Sequence, residues 1–149
     1  MGIAATLAQY LLDQDIAYEL VPYPGSRPPA RNIVESVVIR NDKGFMVVLA
    51  PASRHIAFEK LRQLLGSNVD IANEEQVEEL FVDCEPGCVP ALGSAYGLPL
   101  VIDDSLAAAG EVYLQGGDHA HLVRLSAANF LKATQHARRG QFTDAQAAA

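Results

Sequence analysis

Residues 35–50, ESVVIRNDKGFMVVLA, hold two β-branched runs, Glu35 to Asn41 and Phe45 to Ala50, joined by Asp42, Lys43 and Gly44. Two such runs separated by turn-forming residues are the signature of a β-hairpin. Successive strand side chains point to opposite faces, so a hairpin with one wet face alternates apolar with polar. Here both faces carry apolar residues, which places the pair in the middle of a sheet rather than at its edge.

The flanking segments supply the remaining elements. Ile3, Leu7, Tyr10 and Leu11 fall at helical spacing and predict an amphipathic helix over residues 3–13. YELVPY, Tyr18 to Tyr23, reads as an edge strand because Pro22 has no amide to donate to a ladder. A loop, PGSRPPAR, follows. Phe58, Leu61 and Leu65 form one stripe of a helix over 57–65 that stops at Gly66. Asn73 and Gln76 have the spacing of a capping box ahead of the acidic helix EEQVEELF.

Three further strands are predicted at Leu98 to Asp103, Glu111 to Gln115 and His121 to Ser126. A last helix is expected to begin near Ser126, carry Phe130 and Leu131, and end at Arg138, Arg139 and Gly140, where the basic charges complement its dipole. QFTDAQAAA beyond it shows no core-forming pattern. The expectation is therefore one domain over residues 1–140, with 141–149 a disordered tail or a linker to a further domain. The order of elements lacks regular βαβ alternation and describes an α+β fold on a mixed, mostly antiparallel sheet with flanking helices.

At 149 residues the chain suits one domain with a substantial core. No apolar run approaches the roughly 18 residues that cross a bilayer, and MGIAATLAQYLLDQD lacks the basic start of a signal peptide. A cytoplasmic protein without a membrane partner is the expectation. The net charge of -7 disfavours a broad phosphate-tracking surface and with it DNA as a partner, while leaving room for local contact with one RNA end. The basic groups around Arg31, Arg40, Arg54 and Arg62 read as solvated faces.

Both cysteines lie in one segment, DCEPGCVPALG, residues 83–93. Cys84 and Cys88 are spaced C-x3-C, which is neither the redox C-x-x-C nor half of a common zinc pattern. Completing a zinc site would require His119 and His121, which the strand pattern places on one face. A disulfide is not expected in a reducing compartment. The thiols read as small packing residues, with no metal and no cofactor. Gly87, Gly93 and Gly97, with Pro86, Pro90 and Pro99, shape the backbone more than the thiols do. Such a segment either presents main-chain groups to a ligand or simply connects two elements.

These segments, taken in order, resemble the YbaK/ProX-type aminoacyl-tRNA editing domain. The resemblance rests on DIAYELVPY, on the ESVV strand, on KLRQLLG (Lys60 to Gly66) and on Gly87-Cys88-Val89-Pro90 through Gly93. VIDDSL and VYLQGG complete it, so that about three quarters of the chain is covered from Tyr18 to about Phe130. The resemblance implies a pocket for the aminoacyl group at a tRNA 3′ end, and hydrolysis of that ester in trans without a metal. It implies that the Gly-x-x-Pro loop, here Gly87 and Pro90 with Cys88, Val89 and Gly93, supplies backbone groups to substrate and water. It also implies a strand lysine that engages the terminal nucleotide or its phosphates.

At the position of that lysine this chain carries Glu35. By alternation Glu35 shares a face with Val37 and Ile39. A carboxylate beside a phosphate, where an ammonium is expected, would weaken binding on the order of 10³-fold at close range. Three readings follow. Arg31, Arg40 or Arg54 takes over the nucleotide while Glu35 orients water as a base; or the fold is a non-catalytic regulatory module that binds a small ligand or a partner; or Glu35 is an exposed residue of no consequence. Ser36, at the position of the family threonine, is expected to hydrogen-bond substrate or to pack in the strand.

Other residues carry less. Asp103 and Asp104 point to opposite faces if they are strand neighbours, and one of them is expected to cap the turn at Ser105. His55 reads as a surface histidine. No nucleophile elbow, phosphate-binding glycine loop or dinucleotide fingerprint is present.

Overall fold

The computed structural model describes residues 3–145. In chain order these form helix α1 (Ala5–Asp13), strands β1 (Glu19–Pro22), β2 (Ile33–Asn41), β3 (Gly44–Pro51) and β4 (Arg54–Ile56), helix α2 (Phe58–Leu65), strand β5 (Asp70–Ile71) and helix α3 (Glu74–Leu80). Strands β6 (Leu100–Asp103), β7 (Glu111–Gln115) and β8 (His121–Ser126) follow, then helix α4 (Ala127–Ala133) and strands β9 (Arg138–Gly140) and β10 (Thr143–Ala145). The main sheet runs β1-β8-β7-β2-β3-β6-β9, with β5 pairing on β2; β10 and β4 form a separate ribbon. The β2/β7, β3/β6 and β6/β9 pairings are parallel and the rest antiparallel, so the sheet is mixed and mostly antiparallel, as expected.

The hairpin β2/β3 sits at the centre of this sheet, and its alternation sorts the core into two layers. Val34, Val38, Val47 and Leu49 face one side, where Leu7 and Leu11 of α1 and Phe130 of α4 cover them. Ile39, Met46, Val48 and Ala50 face the other, beneath Leu61 of α2 and Phe142. Apolar residues on both faces are thus used twice, once under each layer. The edge position expected for the Tyr18 to Tyr23 segment holds, with Pro22 opposite His121 at the margin. The capping box closes as its spacing predicts: Gln76 N donates to Asn73 Oδ1 at 2.8 Å and Asn73 N to Gln76 Oε1 at 2.9 Å.

Two expectations at the C-terminal end need correction. The last helix stops at Ala133, and Arg138 to Gly140 form β9, parallel to β6. The two arginines still meet helix carbonyls, but through space: Arg139 Nη2 reaches Thr134 O at 3.2 Å at the end of α4, and Arg138 Nη2 reaches Leu64 O at 2.6 Å at the end of α2. The segment expected as a tail places its second residue, Phe142, fully buried in the second core layer, and continues as β10 on β4. The remainder of that expected tail, residues 146–149, lies outside the described residues.

Candidate functional site

The segment 81–93 is tied down by side chains at its start. α1 has no capping side chain of its own, and Asp83 supplies one from a distance, accepting from Thr6 N at 2.9 Å. The same carboxylate accepts from Tyr96 Oη at 2.6 Å, and the Phe81 and Tyr96 rings meet edge to face at 4.9 Å. Burial acts to raise the Asp83 pKa, but the hydrogen bonds from Thr6 and Tyr96 outweigh it and hold the group below its ordinary value. Cys84 Sγ lies 3.3 Å from Tyr96 Oη in the same cluster.

Glu85-Pro86-Gly87-Cys88 then forms a tight turn, closed by Cys88 N donating to Glu85 O at 3.0 Å. Proline fits the second position of a type II turn, and the third needs positive φ; Gly87 provides φ 83°. Glu85 N donates to Gly117 O at 2.8 Å and so docks this turn on the one preceding β8. The chain leaves past Ala91, whose amide reaches Gln115 O at 3.4 Å, and enters the core at Leu92.

Neither thiol is activated by its surroundings, since burial favours the protonated form of both. Burial pushes Cys84 up to about 11. Burial, with the Glu85 and Asp118 carboxylates, raises Cys88 as well.

The expected site residues divide among several places. Gly87 and Val89, with Pro86, line a cavity of about 370 Å³ whose other wall includes Glu74, Val77 and Glu78 of α3. The amides of Gly87 and Val89 find no hydrogen-bond partner among the described residues. Pro90 is buried behind them. Cys88 is buried too, its Sγ 3.2 Å from His119 Nδ1. Gly93 lines neither this cavity nor the one beside Arg31 described next; it lies so close to β3 that a Cβ there would stand 2.6 Å from Val47 Cγ2.

Arg31 and Arg54 share a different cavity, of about 620 Å³, with Ser53 and Ser105 on its wall. Arg54 is partly committed: its Nε donates to Thr143 Oγ1 at 2.7 Å and its Nη2 to Thr143 O at 3.2 Å.

Glu35 does share a face with Val37 and Ile39, but this is the α2 side of the sheet, whereas Ala91, Leu92 and Val89 pack on the other. Glu35 is exposed and lines neither of the two cavities. A cavity common to Glu35 and the Gly-x-x-Pro loop is therefore not what the strand pairing gives. Ser36 lies on the loop's side of the sheet, opposite Leu49, and its buried hydroxyl has no hydrogen-bond partner among the described residues. The expectation that one aspartate caps the turn at Ser105 is met by Asp103, which accepts from Ser105 N at 3.0 Å. His55 is exposed.

His119 and His121 do not share a strand face. His119 precedes β8 and turns to Cys88, while His121 Nδ1 pairs with Asp118 Oδ2 at 2.9 Å. Of the two histidines that a zinc site with the cysteines would require, only His119 meets a thiol, across a 31-residue separation that no linear spacing encodes.

The model of the aminoacyl-tRNA editing domain matches residues 21–133. A proline–tRNA ligase of Thermosipho africanus (strain TCF52B) is 39% identical over 54 residues, a stretch that covers 36% of this chain and 10% of that enzyme. A solved structure assigned as a trans-editing enzyme for prolyl tRNA synthetase superposes with a TM-score of 0.81 at 23% identity, over 96% of this chain and 99% of the other. A protein from Marinobacter aquaeolei VT8, provisionally described as a signal transduction protein, gives 0.79 at 21%, over 93% of this chain but 30% of its own. At these identities the two structures establish a common fold. The family match spans most of the chain, and the chain belongs to the aminoacyl-tRNA editing domain family.

Proposed function

We propose that this domain hydrolyses, in trans, the ester joining a wrongly attached amino acid to the 3′ end of a tRNA. The observation that carries the proposal is the pair of unpartnered amides, Gly87 and Val89, on the wall of the 370 Å³ cavity within a family match covering residues 21–133. Ester hydrolysis places negative charge on the carbonyl oxygen, and fixed N–H donors stabilise it without reorganising during the reaction. Pro86 and Pro90 fix φ on either side of these donors.

The acidic wall fits the same substrate. Glu74 and Glu78 meet the cationic α-ammonium of an aminoacyl group, while the buried Ser36 hydroxyl does not line the cavity. Arg31 and Arg54, in their separate cavity, are the cations available for acceptor-end phosphates. In this scheme the vicinal hydroxyl of the terminal ribose, rather than a thiol, helps to activate water. Glu35 takes no part in bond breaking in this scheme.

A second reading, a non-catalytic ligand- or partner-binding module, is favoured by Glu35 itself, an exposed carboxylate where the resemblance calls for a lysine. Incubation with a panel of mischarged tRNAs, Ala-tRNAPro and Cys-tRNAPro first, separates the two. Release above a no-enzyme blank supports hydrolysis, and Glu35→Lys, outside both cavities, should then leave kcat and KM within about twofold of wild type. No release by either protein leaves the module reading.

A further inference from the structure

We propose that Glu85, Cys88 and His119 form a binding site for a divalent transition ion of the zinc type. One donor atom from each lies within 4.8 Å of the other two. The cluster follows from two turns held against each other. The Pro86-Gly87 turn brings the first and fourth residues, Glu85 and Cys88, side by side, and the bond from Glu85 N to Gly117 O carries the turn containing His119 onto them.

The histidine is already arranged as metal-bound histidines are. Its Nε2 sits 2.9 Å from Pro86 O, so that the proton belongs on Nε2 and the Nδ1 lone pair faces Cys88 Sγ at 3.2 Å. Zinc bonds of about 2.3 Å to sulfur and about 2.0 Å to nitrogen at a tetrahedral angle set those two atoms roughly 3.5 Å apart. An ion therefore needs them to part by a few tenths of an ångström. Glu85 Oε2 accepts from His119 N, which fixes the carboxylate beside the imidazole.

One thiol, one imidazole and one carboxylate suit zinc better than magnesium or calcium, which favour oxygen donors throughout. With three protein donors, a fourth position stays open to water. The C-x3-C spacing is irrelevant to this arrangement: Cys84 faces Tyr96, and His121 is taken by Asp118.

The test is titration of the full-length, metal-free protein with Zn²⁺ by calorimetry, and with Co²⁺ by absorption spectroscopy. One equivalent should bind saturably with a Kd of about 10 μM or tighter, and Co²⁺ should give a thiolate charge-transfer band in the near ultraviolet. Cys88→Ser and His119→Ala should each weaken binding at least about tenfold and remove or shift that band. Cys84→Ser and His121→Ala should leave both unchanged. His119 is exposed, so its variant keeps the test valid should Cys88→Ser fail to fold. Absence of saturable binding, or binding that survives His119→Ala, overturns the site. None of these readouts depends on deacylation.

Discussion

Asp103 is almost wholly removed from water, yet it faces only donors: Ser105 N, Ser105 Oγ, Phe142 N at 2.9 Å and Thr143 Oγ1 at 3.0 Å. Burial alone would raise its pKa; the four donors outweigh burial and lower it. A carboxylate whose pKa is lowered by folding contributes stability above its unfolded value and loses it as pH falls through the folded one. The protein should therefore lose stability as pH drops below the ordinary aspartate value of 3.8, with Asp83 contributing in the same direction. Asp103→Asn should cost about 2 kcal/mol at neutral pH, because an amide nitrogen then meets donors, and should flatten that acid limb in urea titrations. Gly93 makes a different demand. Its φ is ordinary, and what excludes a side chain is Val47, so Gly93→Ala should cost about 1–3 kcal/mol by forcing the loop away from β3. From the sequence, Gly93 and Gly87 look alike as backbone-shaping glycines. Only Gly87 uses positive φ, and the closeness of Val47 is a tertiary fact no local pattern contains.

Elements with local signals read cleanly. The capping box at Asn73, the Gly66 stop and the hairpin turn before Gly44 all fall where spacing puts them, because each is decided by residues within a few positions. The stretch 127–145 does not, and the reason is physical. Arg138 and Arg139 after an apolar helical pattern are equally consistent with a longer helix and with two cations that serve helix ends elsewhere. The choice is made by β6, whose free edge accepts β9 in parallel. Phe142 likewise stands alone among polar and small residues and shows no periodicity, yet it fills the layer beside Leu61, Val69 and Val101. Phe142→Ala should destabilise the domain by about 3–5 kcal/mol, and removal of residues 141–149 by at least as much, measured as the shift of the urea midpoint. An unchanged midpoint on truncation would return this segment to the status of a tail.

For the molecule as a whole, the doubly apolar hairpin was enough to place a sheet centre, and the ordered weak motifs were enough to indicate the editing fold. The location of the site was less legible. A one-residue difference along β2 separates Glu35, which faces the α2 layer, from Ser36, which faces the side of the sheet where the loop packs, and alternation alone does not say on which side a distant loop will pack. In the proposed reaction, main-chain donors at Gly87 and Val89 on the loop's side of the sheet stabilise the oxyanion of ester hydrolysis. It is tested most directly by the rate of amino-acid release from Ala-tRNAPro or Cys-tRNAPro with the wild-type protein and with Gly87→Ala, whose side chain disfavours the φ of 83° that shapes the turn. The account predicts release well above the uncatalysed blank and a kcat lowered on the order of tenfold or more in Gly87→Ala at unchanged fold. Wild-type release indistinguishable from the blank across the panel of mischarged tRNAs, or full activity in Gly87→Ala, would contradict it.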